Sequence, residues 1–451
     1  MAVNGAAGPQ TVDAAEVLNA APVGAALSWT ILVCGVAALI DGFDVQALAF
    51  VAPVLIEEWG TPAAGFGVIF SAGLLGIMIG QFLFSPLADR FGRKKLIIAG
   101  MLLFALLSLA TAFAKDMPTL LVLRFIGGIG LGGVTPNLIA LTAEYSPKRL
   151  RATMIATMFA GYSLGAVAGG MLSSVLVPAF GWQSMFIVGA VAPLLMIPLL
   201  LFGLPESVRY LIIAGADQTR IGAVLDKFWP ARPRAASEVF VLNEARLAGF
   251  SVRRLFDREF AATTLLLWLI YLVAMLLTYI LLSWVPTILR GEGLPIAQAQ
   301  RAGAVLSLGG VIGGVVFSMA ADRFGALRVL VITYLLSGAA IFAMGQAGVD
   351  GGLVLITAFV AGFCALGAQT TLNATVANLY PTQIRATGLG YAMGIGRIGS
   401  VVGPIVGGML IAAQWPSSSL FAVSAAPTLV AAALLVVLAF VRARTLQTAG
   451  A

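Results

Sequence analysis

Asp41 and Asp44 stand three residues apart inside an apolar run of membrane-spanning length, 26–51. A charged carboxylate at the centre of a bilayer costs roughly 2.5–3.5 kcal/mol on insertion scales. At i and i+3 both side chains leave one face of a helix, and that face has to look into protein or water. Two more charges are stranded in the same way. Arg124 lies six residues into the fourth apolar run, and Arg397 lies about eleven residues into the eleventh. At a rise of 1.5 Å per residue, Asp41 and Arg124 both sit roughly 9–15 Å from one surface. An Asp41–Arg124 pair is therefore expected. Arg397 enters from the opposite surface and reaches roughly 16 Å, near the midplane. Charges at that depth are by default functional, the competing reading being a fixed salt bridge that only sets helix packing.

The elements that must hold these groups follow from composition. Of 451 residues, 60% are hydrophobic and 10% charged, and mean hydropathy is +1.02. A soluble domain carries about 25% charged residues, so the chain reads as an all-α integral membrane protein. Its apolar runs contain Gly and Pro and reach about 20 residues, which indicates helices rather than barrel strands. Twelve spans are predicted near 26–51, 64–87, 95–114, 118–141, 152–176, 183–203, 261–285, 297–319, 327–347, 352–377, 386–411 and 417–441. They divide into a tail (1–25), a six-helix bundle (26–203), a polar linker (204–260), a second six-helix bundle (261–441) and a tail (442–451). The linker is expected to carry short amphipathic helices lying on the membrane surface. Residues 1–23 hold no Lys or Arg and include Asp13 and Glu16, so the basic start of a cleaved signal is missing.

Charge distribution sets the expected orientation. Arg90, Arg93, Lys94, Lys95, Lys148, Arg149, Arg151, the linker, Arg323, Arg328, Arg385, Arg442 and Arg444 fall on one side; Lys115, Arg290 and Arg301 fall on the other. The positive-inside rule then places both termini in the cytoplasm. The net charge of +7 is read as this orientation signal and not as a nucleic-acid surface. Cys34 and Cys364 lie in apolar runs and read as packing residues. With no histidine in the chain, proton handling near neutral pH falls to carboxylates.

The two halves repeat. Pro53, Gly60, Pro62, Asp89, Arg90, Phe91 and Gly92 recur 233 positions later as Pro286, Gly293, Pro295, Asp322, Arg323, Phe324 and Gly325. Pro147, Arg151, Ala152 and Thr153 recur at an offset of 234 as Pro381, Arg385, Ala386 and Thr387. Two related bundles around a central cavity suit a rocking carrier. The repeat also separates scaffold from chemistry. Asp41 maps onto Ala274, Asp44 onto Leu277, Arg124 onto Ala358 or Thr357, and Arg397 onto Ser163 or Leu164. All four intramembrane charges break the symmetry. The cluster 127–133, rich in Gly, lies in an apolar span with no following Lys-Ser or Lys-Thr, so it reads as close helix packing and not as a phosphate loop. Without a nucleotide site the energy has to come from an ion gradient; no cofactor or metal is expected.

The run Ser85-Pro86-Leu87-Ala88-Asp89-Arg90-Phe91-Gly92-Arg93-Lys94-Lys95 resembles the loop signature between helices two and three of the major facilitator superfamily, with a shorter echo at 318–325. The usual leading Gly is Ser at 85 and 318, and the echo continues Gly325-Ala326-Leu327 in place of the basic ending. Glu144-Tyr145-Ser146-Pro147-Lys148-Arg149 and Pro205-Glu206-Ser207-Val208-Arg209 also fit that superfamily. Within it, Asp41-Gly42-Phe43-Asp44 and Arg124-Phe125-Ile126-Gly127-Gly128 resemble the aromatic acid:proton symporters, whose members carry 4-hydroxybenzoate and protocatechuate.

That resemblance implies roles. Asp41, Asp44 and Arg124 would couple protons. Arg397 would anchor the solute carboxylate, since a guanidinium grips it through two parallel hydrogen bonds. Phe43, Tyr279, Trp284 and Tyr391 are candidate ring contacts, although each alone reads equally as packing. Asp89, Arg90, Gly92, Arg93, Glu144 and Arg151, with Asp322, Arg323 and Arg385 in the second half, would form gates. Glu206 and Arg209 read as a similar latch or, in preference, as a solvated helix end. The expectation is a monomeric importer of small aromatic carboxylates with protons, spanning a bacterial plasma (inner) membrane, and not an enzyme. Two alternatives share the fold: a sugar or other organic-solute:proton symporter, and a proton-driven exporter.

Overall fold

The computed structural model describes residues 10–232, 238–242, 252–257, 259–380 and 385–449; the side chains of Asp89 and Arg385 lie outside what it describes. Twelve of its helices are long and apolar enough to cross a membrane. The first six are α2 (Ala25–Trp59), α3 (Ala63–Phe91), α4 (Arg93–Thr111), α5 (Met117–Tyr145), α6 (Arg151–Phe180) and α7 (Gln183–Gly203). The second six are α10 (Ala261–Gly291), α11 (Ile296–Phe324), α12 (Ala326–Gly345), α13 (Gly351–Leu379), α14 (Arg385–Ala412) and α15 (Ser417–Ala449). Strand β1 (Gln10–Asp13) and helix α1 (Ala14–Ala20) precede them. Helices α8 (Val208–Ile213) and α9 (Gln218–Phe228), strand β2 (Glu238–Val241) and a 3₁₀ turn (Val252–Phe256) lie between the halves.

Several ends differ from the expected ones. Helix α2 runs on past residue 51 to Trp59 with Pro53 inside it, and stops where Gly60 turns left-handed (φ 60°). The 85–91 stretch, expected as a loop, is the end of α3; the chain breaks only at Gly92 (φ 99°). The repeat explains itself at these points. The mates Gly60 and Gly293, and Gly92 and Gly325, all hold positive φ, where a Cβ would be strained. The mates Asp116 and Asp350 both cap a helix, accepting from Thr119 N at 2.8 Å and from Gly352 N at 2.9 Å.

Packing repeats as well. Helix α2 lies on α6 as α10 lies on α14, α3 on α5 as α11 on α13, and α4 on α7 as α12 on α15. Glycines set the closest approaches. A Cβ on Gly76 or Gly132 would strike a backbone carbonyl across the α3–α5 seam, and one on Gly313 or Gly362 would do so across α11–α13. The 127–133 cluster is thus a packing surface.

The halves meet at the end of the molecule away from both termini, called here the far end. Ser71 Oγ donates to Val401 O (2.5 Å), Gln300 Nε2 to Phe50 O (2.9 Å) and Arg301 Nε to Ser174 Oγ (3.4 Å). Arg290 grips Glu57 through Nε–Oε1 (2.7 Å) and Nη2–Oε2 (3.1 Å). These bonds join the halves at that end. At the terminal end of α14, Gly390 and Gly394 have no neighbour where a Cβ would stand, and Tyr391 is exposed. That face of α14 is therefore uncovered by the described residues.

The linker departs from expectation. The apolar face of α9 (Ile221, Leu225, Phe228) is buried in the same cluster as Leu27, Ile31 and Tyr145 of the first half, with Phe228 stacked on Tyr145 at 4.2 Å. It is covered by protein and not laid on lipid. Strand β2 pairs in parallel with β1, Gln10 opposite Glu238 through Asp13 opposite Val241, which fastens the linker to the tail.

Candidate functional site

Helix α2 presents its charges because Gly42 faces α6. A Cβ there would collide with the Tyr162 carbonyl, and one on Gly165 would collide with Leu39 O, so the two backbones touch at this level. With that face committed, Asp41 and Asp44 turn sideways toward α5. Both are buried (4% and 6% exposed).

Asp44 accepts from Arg124 Nη1 at 3.1 Å (Oδ1) and 3.3 Å (Oδ2). The Arg124 guanidinium also lies over the Phe186 ring of α7, 4.8 Å from its centre. Its Nε has no partner. The expected Asp41–Arg124 pair is therefore corrected: the partner is Asp44. The reason is reach. Arg124 starts near the far end of α5, and Asp44 is about 4.5 Å further along α2 in that direction than Asp41. Asp41 instead accepts from Thr135 Oγ1, lower on α5. It also senses the charges of Asp44 and of Arg397 on α14. Arg397 is partly exposed, and its guanidinium makes no hydrogen bond or ion pair among the described residues. Tyr162 of α6, half-buried, interacts electrostatically with Tyr279, Asp41, Arg397 and Asp44. Asp41 is thus in electrostatic reach of Asp44 and Arg397, Asp44 pairs with Arg124, and of the four only Asp44 and Arg124 line the cavity beside them.

A cavity lies against this cluster. Asp44, Gln46, Arg124, Tyr279 and Ser283 supply its polar wall, and residues such as Ile69, Phe70 and Leu74 supply its apolar wall. Among the expected ring contacts only Tyr279 lines it. Phe43 is wedged between α6 and α7 beside Gly169 and Gly189. Trp284 is fully buried, donates Nε1 to Pro404 O (2.9 Å) and meets Phe70 edge-on at 5.2 Å. Tyr391 stacks on Trp268 near the start of α14.

The gate residues separate into an engaged set and an exposed one. Arg93 Nη1 meets Glu144 Oε2 at 2.6 Å, and Glu144 also accepts from Ser207 Oγ (2.7 Å) and Arg209 N (2.9 Å). Glu206 accepts from Lys94 N (3.1 Å) and so caps the start of α4, while Tyr145 Oη donates to its carbonyl (2.5 Å). The Pro205–Arg209 stretch is therefore docked and not a solvated helix end. Gly92 is needed where it stands, because a Cβ would press on the Glu206 carboxylate. Arg90 lies over its neighbour Phe91 at 5.5 Å, and Arg323 lies over Phe324 at 5.3 Å. Arg151, Asp322 and Arg323 are exposed.

Sequence reasoning passed over Thr135, Tyr162, Gln46 and Ser283. Each is a neutral polar residue in an apolar span, a common sight, and only the three-dimensional neighbourhood distinguishes them. The sequence carried one usable hint: Gln46 and Tyr279 are repeat mates, 233 apart, with different polar side chains.

Twelve spanning helices in two like halves, with a charged cavity between them, define a membrane carrier of small solutes. Comparison with known proteins names the lineage. The sequence profile of the Major Facilitator Superfamily matches residues 34–320 and again 267–450, and the chain belongs to that superfamily. It is 39% identical to the gallate transporter of Pseudomonas putida over 422 residues (93% of this chain, 94% of the relative). It is 37% identical to the 4-hydroxybenzoate transporter PcaK of Pseudomonas aeruginosa over 407 residues (90% and 91%). The inward-open xylose transporter XylE of E. coli aligns with a TM-score of 0.70 at 17% identity, covering 91% of this chain and 95% of that one, a likeness of fold.

Proposed function

We propose that the protein imports small aromatic carboxylic acids together with protons across a bacterial plasma (inner) membrane, by exposing the central cavity to each side in turn. The observation that carries this reading is the buried Asp44–Arg124 pair in the cavity wall, with the Arg397 guanidinium, which has no hydrogen-bond or ion-pair partner among the described residues, in electrostatic reach of Asp41. The names of two relatives, a gallate and a 4-hydroxybenzoate transporter, support an aromatic acid as the solute.

The geometry supports a coupling scheme. A proton arriving on Asp44 removes the charge that holds Arg124, and one arriving on Asp41 removes the charge facing Arg397. Either event leaves a guanidinium in need of an anion, which the solute carboxylate supplies. Proton and acid then occupy the cavity together with little net charge, the condition for moving them through an apolar wall. After the halves rock, loss of the proton restores the internal pairs and expels the acid. With the termini in the cytoplasm, as the loop charges favour, the far-end contacts lie on the outside and would hold it closed. One chain holds both halves, so a monomer suffices.

Uptake of labelled 4-hydroxybenzoate by cells or proteoliposomes under an imposed pH gradient tests the reading. Accumulation that a protonophore abolishes, and that Asp41→Asn and Asp44→Asn each lose, is expected. Absence of uptake, or accumulation that ignores the gradient, refutes it.

A further inference from the structure

Three polar side chains of the cavity wall take no part in the charge pairing described above: Gln46 on α2, Tyr279 and Ser283 on α10. Gln46 and Ser283 are each 5% exposed, yet neither side chain makes a hydrogen bond to any described residue. Ser307 and Thr333, by contrast, return their hydroxyls to carbonyls of their own helix, Gly303 O (3.1 Å) and Val329 O (2.7 Å). A polar group set in a cavity wall without a protein partner is completed by a ligand or water.

Position adds a second argument. Gln46 and Tyr279 are mates under the 233-residue repeat, so they face each other across the pseudo-two-fold axis, one from each half. A ligand between them is read from both sides. Amide and hydroxyl groups each both donate and accept, as a phenol does; none of the three carries a charge that would favour an ion. The same cavity is lined by the Asp44–Arg124 pair and the apolar Ile69, Phe70 and Leu74.

Taking the cavity as the aromatic-acid site proposed above, we infer that Gln46, Tyr279 and Ser283 recognise ring hydroxyl groups, and that the carrier selects hydroxylated aromatic acids over unsubstituted benzoate. Binding of benzoate would leave the buried Gln46 amide and Ser283 hydroxyl without the partner that a phenol provides. A neutral hydrogen bond contributes about 0.5–1.5 kcal/mol, a factor of roughly 2–12 in affinity. With more than one such bond, a preference of at least about tenfold is expected in the wild type.

The test is competition against uptake of labelled 4-hydroxybenzoate by unlabelled 4-hydroxybenzoate and by benzoate, read as the ratio of their half-inhibiting concentrations. Gln46→Leu and Ser283→Ala are each expected to reduce that ratio by about 3–10-fold, while Ser283→Thr, which keeps the hydroxyl, holds it. Both residues matter because Ser283→Ala is a small change that leaves the helix intact if Gln46→Leu fails to reach the membrane. A ratio unchanged in the variants, or a uniform loss for both competitors, overturns the inference and leaves the aromatic-acid reading standing. A wild type that takes up no aromatic acid overturns that reading and the inference with it.

Discussion

The Asp44–Arg124 pair permits a sharp prediction. The two charges are 3.1 Å apart at their closest atoms and each side chain is 7% exposed. At about 4 Å between charge centres and an effective dielectric constant near 20, their attraction is about 4 kcal/mol before the cost of desolvation. Replacing such a pair as a unit by neutral groups is often close to neutral for stability, but removing one partner strands the other and costs about 3–5 kcal/mol. Arg124 is already short of one partner at Nε, so its isolation in Asp44→Asn should fall at the high end. The expected pattern is two unstable single variants, Asp44→Asn and Arg124→Gln, and a double variant that regains most of the loss. Thermal or denaturant unfolding in lipid nanodiscs supplies the four corners of the cycle, with a coupling of about 2 kcal/mol or more. Proton-driven accumulation should stay absent in the double variant, because its stability returns but its titrating group does not. Additivity within about 0.5 kcal/mol would mean that the pair is not energetically joined, and the coupling scheme would fall with it.

Other predictions follow from single features. Gly42→Ala should cost at least about 1–3 kcal/mol, because the new methyl meets the Tyr162 carbonyl and forces α2 from α6; a lowered unfolding midpoint together with lost uptake checks this, and wild-type behaviour contradicts it. The Glu57–Arg290 bridge is 54% and 34% exposed and so contributes only about 0.2–1 kcal/mol; Arg290→Ala should shift accessibility of the far end to a thiol reagent by less than about sixfold, and the swap Glu57→Arg with Arg290→Glu should restore it. Asp217 caps α9 through Thr219 N (3.1 Å), and these bonds hold its carboxyl below the usual range. That stabilisation is present above the ordinary carboxylate value, near 4, and is lost as pH falls through the lowered one. Amide exchange in α9 should therefore quicken on acidification in the wild type, and should be fast at all pH in Asp217→Ala.

Much of the architecture was legible because a bilayer is an unforgiving solvent. Span positions follow from hydrophobic length alone, and the repeat marks the turns through Gly60, Gly92, Gly293 and Gly325, where only backbone geometry counts. The intramembrane charges were visible for the same reason: Asp41, Asp44, Arg124 and Arg397 have no innocent place in lipid. Their pairing was not legible. It depends on helix rotation and on the reach of Arg124, and one helical turn decided between Asp41 and Asp44. The aromatic candidates mostly went elsewhere, since Phe43 and Trp284 satisfy their large apolar surfaces better between helices than beside water. Glu206 was misjudged because its partner, the start of α4, lies 112 residues away in sequence.

Glu57 and Arg290 carry one last implication. They are counterparts under the internal duplication, yet they bear opposite charges and clasp each other. In a symmetric homodimer every position on the dyad confronts its own copy, so an acid there would meet an acid and a base would meet a base. Fusing the two copies into one polypeptide frees such positions to diverge. A clasp of unlike charges on the axis, and an amide opposite a phenol at Gln46 and Tyr279, are arrangements that separate identical subunits cannot build.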